Sequence, residues 1–111
     1  MCGICGFVGN GNKSILINMR EKMVHRGPDD AGIYLNLENQ IGLGHRRLSI
    51  IDLSERGRQP MESSSGENVI TYNGEVYNYL DIKKELEKNG IYFRSNTDTE
   101  VVLEAIQYWG I

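Results

Sequence analysis

The stretch MCGICGFVG, residues 1–9, combines the pattern of a buried strand with a cysteine placed directly after the initiator methionine. The small and apolar residues from Gly3 to Val8 are typical of a strand that other backbone segments approach closely. We therefore expect a buried first strand over Gly3 to Val8, which starts immediately after Cys2.

Cys2 and Cys5 have the C-x-x-C spacing of half a zinc site or of a redox pair. A zinc site needs four ligands, and His25 and His45 are the only other soft ligands in the sequence. A redox pair is expected at a strand-to-helix junction rather than inside a strand. We therefore expect no metal site, and we interpret Cys5 as a small apolar residue of a buried strand.

Cys2 has a further interpretation, because a small residue at position 2 is where the initiator methionine is normally removed. Cys2 would then carry a thiol beside an α-amine, and an ordinary α-amine, with a pKa of about 7.7 to 8.0, can take the thiol proton near neutral pH. Removal of Met1 is the condition for this chemistry, since the amine is otherwise a peptide nitrogen. Cys2 is thus a candidate nucleophile with its own base.

Composition limits the classes of partner. The chain has 111 residues, of which 40% are hydrophobic and 24% charged, as in an ordinary globular domain. The net charge of -3 gives no electrostatic argument for nucleic acid or an anionic membrane. No apolar run approaches the roughly 20 residues of a membrane helix, and no signal peptide is recognisable. We expect a cytoplasmic protein that has neither nucleic acid nor membrane as a partner.

Three helices are predicted from apolar spacing and capping residues. The first covers Lys13 to Val24. Its expected buried stripe consists of Ile15, Met19 and Met23. The second starts after the cap Asn78 and stops at Gly90.

The third helix starts at Thr97, which has the spacing of a capping box with Glu100. Its expected buried face consists of Val102, Ile106 and Trp109. Strands are predicted over Ile33 to Leu37, over Ile41 to Gly44 with continuation through RLSIIDL, on both sides of Asn73-Gly74, and at the short YFR run, residues 92–94.

Three groups of polar residues are candidates for a site, although such residues also have ordinary structural explanations. Asn73 and Gly74 could stabilise an oxyanion, since such donors are typically worth about 3 to 4 kcal/mol, but Asn-Gly is also the usual hairpin turn. Arg46 and Arg47 adjoin a strand, where only one of the two can enter a given cleft. Asp98 would favour a helix N-terminus without any function.

Taken in order, six blocks closely resemble the N-terminal glutaminase domain of glutamine-dependent asparagine synthetases, which are class II glutamine amidotransferases of the N-terminal nucleophile hydrolase fold. The blocks are MCGICGFVG, HRGPDDAG, GHRRLSIIDLS, GRQPM, ITYNGEVYNYLDIKKEL and SNTDTEVVLEA. The resemblance implies an α+β fold, a four-layer αββα sandwich of which residues 1–111 are about the first half. It further implies a partial glutaminase domain from which the synthetase domain is absent.

The resemblance also implies catalytic roles. Cys2 would be the nucleophile that attacks the side-chain amide of glutamine, with its α-amine carrying the proton. Asn73 and Gly74 would form the oxyanion hole. The HRGPD loop resembles a signature near the active site of the family, without a defined role for Arg26 or Asp29.

Substrate binding is implied at five further positions. Arg47 would hold the substrate α-carboxylate, and backbone groups of Leu48 and Ile50 would lie nearby. Glu75 and Asp98 would receive the α-ammonium group.

The implied reaction converts glutamine and water into glutamate and ammonia through a thioester on Cys2, without a cofactor or metal. In the family, ammonia passes to an ATP-dependent synthetase domain of the same chain, which makes asparagine from aspartate, so ATP and Mg²⁺ belong to that domain. A homodimer is a further candidate assembly.

The alternatives are an amidotransferase with another acceptor, an inactive fragment that binds glutamine or a partner, and, least favoured, a C-x-x-C metal or redox protein.

Overall fold

The computed structural model describes residues 2–48 and 55–110. The elements follow in the order β1 (Gly3–Val8), α1 (Lys13–Glu21), β2 (Asp30–Asn36), β3 (Ile41–Arg47), a 3₁₀ turn (Glu55–Gly57), β4 (Met61–Glu62), β5 (Val69–Ile70), α2 (Tyr79–Lys88) and α3 (Asp98–Trp109). This is a mixed α+β architecture, as the resemblance implied. No helix among these residues combines the length and the apolar composition that crossing a bilayer requires.

The three-stranded sheet is antiparallel and has the order β1-β3-β2. In the register of the central strand, Gly3 lies opposite Arg46, and Asp30 lies opposite Arg47. The predicted first strand is therefore confirmed, but its predicted burial is wrong, since Ile4 is 46% and Val8 85% exposed. Because β1 and β3 run in opposite directions, the start of the chain meets the end of β3, and Cys2 lies beside Leu48.

Helix α1 packs on β3 and β1. Its cap is Asn12, whose side chain accepts a hydrogen bond from the Ile15 N–H at 2.9 Å. The predicted buried stripe is wrong in its phase, because Leu16 is fully buried whereas Ile15 is 45% exposed. The helix also ends earlier than predicted, since Met23 N–H bonds to the carbonyl of Arg20, three residues back, and closes a turn.

Helix α3 packs against α2 and starts where the sequence predicted. The Thr97 hydroxyl accepts a hydrogen bond from Glu100 N–H at 3.3 Å. The predicted buried face is wrong: Trp109 is 57% exposed, while Val101 and Leu103 are buried. The reason is that Glu100 and Glu104 of α3 accept hydrogen bonds from neighbouring segments of the chain. These bonds turn a different face of the helix towards the interior.

Helix α2 starts at the predicted position, but the side chain of Asn78 makes no capping hydrogen bond. The helix ends at Lys88, and Gly90 follows with a φ of +87°, a left-handed conformation that glycine adopts without strain. The predicted stop is therefore confirmed. Leu86 is the fully buried residue of this helix.

One strand prediction is wrong, one is confirmed only in part, and a third is mostly untested. Of the runs predicted on the two sides of Asn73-Gly74, the first is a strand only over Val69–Ile70 and the second is irregular backbone, so the pair forms no hairpin of its own. Residues 92–94 form no strand either. In the RLSIIDL run, Arg47 ends β3, and residues 49–54, which include Ile50, lie outside the described residues.

Candidate active site

A cleft of about 460 Å³ opens where the start of β1, the end of β3 and the N-terminus of α3 meet. Its lining includes all the sequence-predicted site residues that the structure describes: Cys2, Arg47, Leu48, Asn73, Gly74, Glu75 and Asp98. The remaining one, Ile50, lies outside the described residues. Residues that are up to 96 positions apart in the chain therefore share one surface.

Cys2 is fixed at the edge of the sheet by backbone contacts. The Leu48 N–H donates a hydrogen bond to Cys2 Sγ at 3.3 Å, and the thiol lies 3.7 Å from the Leu48 carbonyl oxygen. From the HRGPD loop, Arg26 Nε donates to the Cys2 carbonyl oxygen at 3.1 Å. The sulfur is thus held within the cleft, and Arg26 contacts the main chain of Cys2.

Cys5 lies in other surroundings. It is half-buried rather than fully buried, and burial raises the pKa of its thiol, although the positive charge of Arg20 and a hydrogen bond from the Gly44 backbone act in the opposite direction. Cys2 contacts Leu48 instead. Within residues 2–48 and 55–110, no three His, Cys, Asp or Glu side chains are grouped so that they could hold a metal ion.

Arg47 is the buried cation of the cleft, with 6% of its surface exposed. Its carbonyl oxygen accepts a hydrogen bond from the Asp29 N–H at 3.0 Å, so the HRGPD loop supports the end of β3. On the opposite side, a Cβ added to Gly57 would lie 2.5 Å from Arg47 Nη2. The guanidinium therefore occupies its place because position 57 has no side chain.

Arg46 faces away from this cleft, as alternation along a strand requires. Its Nε donates to the Gly27 carbonyl oxygen at 2.9 Å, and its Nη1 lies 3.4 Å from Glu21 Oε2. Of the two adjacent arginines, one thus lines the cleft and the other ties the HRGPD loop to α1.

The segment from Tyr72 to Val76 is held by side chains at both ends. Gln59 Oε1 accepts from the Tyr72 N–H at 2.6 Å, and His45 Nε2 lies 3.2 Å from the Tyr72 carbonyl oxygen. At the other end, Asp98 Oδ2 accepts from the Val76 N–H at 3.0 Å. These bonds replace the strand pairing of the predicted hairpin and leave the intervening Asn73-Gly74 pair at the cleft surface.

His45 is buried, and burial lowers the pKa of its imidazole, with a smaller contribution in the same direction from Arg47. The Tyr72 carbonyl and Asp30 act in the opposite direction. A neutral ring with its proton on Nε2 donates to the Tyr72 carbonyl, which can only accept.

The two acidic residues of the cleft lie on one side of it, beside the phenol of Tyr72. Burial raises the pKa of that phenol, and the negative charges of Asp98 and Glu75 raise it further. Asp98 is buried and Glu75 is exposed. With Arg47 as the cation, the cleft offers opposite charges to a small zwitterion.

Several residues of the cleft were not predicted from the sequence. They are Gly57, Gln59, Tyr72, Tyr77, Thr97 and Thr99. Gln59 lies in the quoted GRQPM block, and Tyr72 directly precedes the Asn-Gly pair, so both were within recognised stretches. Their roles depend on contacts across 13 and more residues, which no local pattern reveals.

Comparison with known proteins identifies a family that matches the chain and several related proteins. The whole chain, residues 1–111, matches a family described as the glutamine amidotransferase domain. It is 43% identical over 123 residues to a putative asparagine synthetase [glutamine-hydrolyzing] 2 from Methanocaldococcus jannaschii, covering 94% of this chain. It is 39% identical over 116 residues to asparagine synthetase [glutamine-hydrolyzing] 1 from Bacillus subtilis, covering 96% of this chain.

A further relative carries a different kind of name. The chain is 34% identical over 125 residues to a protein from Gibberella zeae named Amidase chry2, across 100% of this chain and 18% of that protein. The chain spans 23% of the Methanocaldococcus jannaschii protein and 18% of the Bacillus subtilis protein. It therefore corresponds to about a fifth of the length of these curated relatives.

Proposed function

The chain belongs to the glutamine amidotransferase domain family, and on this premise we propose that its cleft hydrolyses glutamine to glutamate and ammonia, with Cys2 as the nucleophile. The observation that carries the proposal is the single cleft shared by a cysteine, a buried arginine, two carboxylates and an Asn-Gly pair. Together these groups match the chemistry of an amino-acid amide.

Opposite charges in the cleft orient the substrate. The Arg47 guanidinium pairs with the α-carboxylate, because its planar fork matches two carboxylate oxygens. Asp98 and Glu75, which lie together beside Tyr72, receive the α-ammonium group. This arrangement directs the side-chain amide of glutamine towards Cys2.

The reaction then proceeds in two steps. The Cys2 sulfur adds to the amide carbon, and the negative charge that develops on the amide oxygen is stabilised by the Asn73 side-chain amide and the Gly74 N–H. The C–N bond breaks, the nitrogen takes a proton and leaves as ammonia, and a thioester remains. Water adds to the thioester, glutamate leaves, and the Cys2 thiol is restored.

The base is the α-amine of Cys2, which exists once Met1 has been removed. An amine of pKa about 7.7 to 8.0 takes the thiol proton near neutral pH and returns it to the leaving nitrogen. Mass spectrometry of a fully active preparation should therefore show a chain that begins at Cys2. Retention of Met1 in such a preparation would contradict this mechanism.

In the whole protein, ammonia is passed to an ATP-dependent synthetase domain of the same chain, which forms asparagine from aspartate. Support comes from the names of the two synthetase relatives and from the fraction of their length that the chain spans. ATP and Mg²⁺ serve that domain, and no residue of this cleft is assigned to them. A cytoplasmic location, a homodimer, and the complete four-layer αββα sandwich are parts of the same proposal.

The differently named relative from Gibberella zeae favours a second candidate, in which the same glutaminase cleft supplies ammonia to another acceptor. Ammonia release from glutamine is common to both candidates. Product analysis of the intact protein with glutamine, ATP and aspartate distinguishes them, because formation of asparagine supports the first and its absence supports the second.

The glutaminase proposal is tested by replacing each cysteine in the intact protein. Cys2→Ala removes the nucleophile and should abolish ammonia release from glutamine, while Cys5→Ala should retain most of it, since Cys5 lies in β1 opposite Gly44 and outside the cleft lining. Equal losses in both variants would overturn the assignment. Glutamine binding by the wild type without any turnover would identify a binding module instead.

A further inference from the structure

Gln59 connects two parts of the cleft that lie far apart in the sequence. Its Oε1 accepts a hydrogen bond from the Tyr72 N–H at 2.6 Å, and its Nε2 donates to Thr99 Oγ1 at 3.2 Å. The residue is 7% exposed, so water does not easily replace either partner. Both ends of the side-chain amide are therefore used, one on the segment that precedes Asn73-Gly74 and the other on the start of α3.

The main chain of Gln59 is itself fixed against the three-stranded sheet. A Cβ added to Gly32 of β2 would overlap the Gln59 carbonyl oxygen, so the backbone of Gln59 packs directly on that strand. The preceding residue, Arg58, pairs with Asp30 of the same strand through an Nε–Oδ2 contact of 3.0 Å. The side chain of Gln59 thus extends from a point that the sheet defines.

Tyr72, which Gln59 holds, directly precedes Asn73 and Gly74. Strand β5 ends at Ile70, so no ladder partner fixes Tyr72, and its N–H is held by the Gln59 side chain instead. The carbonyl side of Tyr72 is held by His45. The position of the next two peptide groups consequently depends on these two buried side chains.

The other partner, Thr99, directly follows Asp98 at the start of α3. Asp98 in turn accepts from the Val76 N–H and closes the far end of the same segment. The Gln59 side-chain amide and the Asp98–Val76 hydrogen bond therefore connect α3 to the two ends of the segment that contains the Asn-Gly pair.

From these contacts we infer that Gln59 is a positioning residue that holds the oxyanion-binding pair Asn73-Gly74 at a fixed distance from Asp98. The inference rests on the proposed glutaminase function. Its physical basis is that oxyanion donors act only when they are already in place, and a displacement of about 1 Å costs on the order of 100-fold in rate.

Gln59→Leu tests the inference in the intact protein, with Gln107→Leu as the matched control. Gln107 is also a bridging glutamine: its Nε2 donates to Ser64 Oγ at 3.2 Å, and its Oε1 accepts from Ser65 Oγ at 2.6 Å, away from the cleft lining. We expect kcat for glutamine hydrolysis to fall on the order of 100-fold in Q59L. KM for glutamine should change little, because Arg47 and Asp98 remain, and Q107L should keep the wild-type kcat.

Gln59→Glu supplies the rescue. One carboxylate oxygen can still accept from the Tyr72 N–H, and the other can accept from the Thr99 hydroxyl, so its kcat should lie between those of Q59L and the wild type. Hydrogen exchange provides a readout that does not depend on turnover, since the Tyr72 amide should lose protection in Q59L and keep it in Q107L. If Q59L does not fold, kcat and the protection of the Tyr72 amide are compared between Q59E and Q107L instead.

The outcomes separate the two proposals. A wild type that releases no ammonia overturns the glutaminase function, and this inference with it. An active wild type whose Q59L variant has the kcat of Q107L overturns the inference alone. A purely structural role of Gln59 would lower the midpoint of unfolding without lowering kcat per folded molecule, and that result also overturns the inference.

Discussion

Asp98 and Glu100 lie two residues apart on α3, both with carboxylates that are almost completely buried, with 6% and 1% exposure. Their surroundings differ. Glu100 accepts hydrogen bonds from the Arg94 N–H, the Ser95 N–H and the Ser95 hydroxyl, at 2.7 to 3.1 Å. Asp98 accepts one, from the Val76 N–H, among the described residues, and it lines the cleft.

This difference separates a structural carboxylate from one that is available to a ligand. A buried carboxylate has lone pairs for about four donors, and each unused one is costly in a dry interior. The chain itself provides the hydrogen-bond donors for Glu100. It also provides them for Glu104, which accepts from the N–H and the hydroxyl of Ser64. Asp98 can still accept further hydrogen bonds on the side that faces the cleft. The proposed binding of an ammonium group requires this.

The largest expected effect is on stability, from Glu100→Gln. The new amide group places an NH₂ opposite backbone N–H groups from which the carboxylate accepts hydrogen bonds in the wild type. Hydrogen bonds to a charged group are worth about 1.5 to 3 kcal/mol each. We expect the free energy of unfolding to fall by about 3 kcal/mol, measured by urea denaturation. The folded fraction should keep its KM for glutamine. A variant as stable as the wild type would show that the hydrogen bonds of Glu100 do not stabilise the fold.

The matched change at the cleft, Asp98→Asn, should have the opposite profile. The amide oxygen can still accept from the Val76 N–H, so unfolding should change by about 1 kcal/mol or less. On the proposed function, in which this charge pairs with the substrate α-ammonium group, its loss should raise KM for glutamine about 10- to 100-fold in steady-state kinetics. If Asp98→Asn alters stability more than Glu100→Gln, the distinction between the two carboxylates fails.

The smallest effect concerns His45, a buried group near the cleft that is held neutral. Its pKa is lower in the folded state than the ordinary 6.5, so the stability gained from the neutral ring is complete above pH 6.5 and is lost as the pH falls through the folded pKa. The slope approaches about 1.4 kcal/mol per pH unit at most. In unfolding curves measured from pH 7.5 to lower pH, His45→Gln should remove this slope, and an unchanged slope would contradict the assignment.

Local rules predicted those features whose partners are near in sequence. Thr97 caps α3 because its partner N–H belongs to Glu100, three residues on. The capping box itself was only half correct, since the Glu100 carboxylate bonds to the backbone at Arg94 and Ser95 instead of to Thr97. The misplaced buried face of α3 has the same origin, because hydrophobicity alone gives no indication that glutamates will be fully buried.

The first strand, the starts of the three helices and seven of the residues around the cleft were predicted from the sequence, as motifs in a fixed order. The tertiary structure alone decided how the Asn73-Gly74 pair is held. As a local signal the pair indicates a hairpin, yet its neighbour Tyr72 bonds to Gln59 and His45, which are 13 and 27 positions away. A turn is selected by adjacent dihedral angles, whereas a segment with distant partners takes its shape from the elements that carry them.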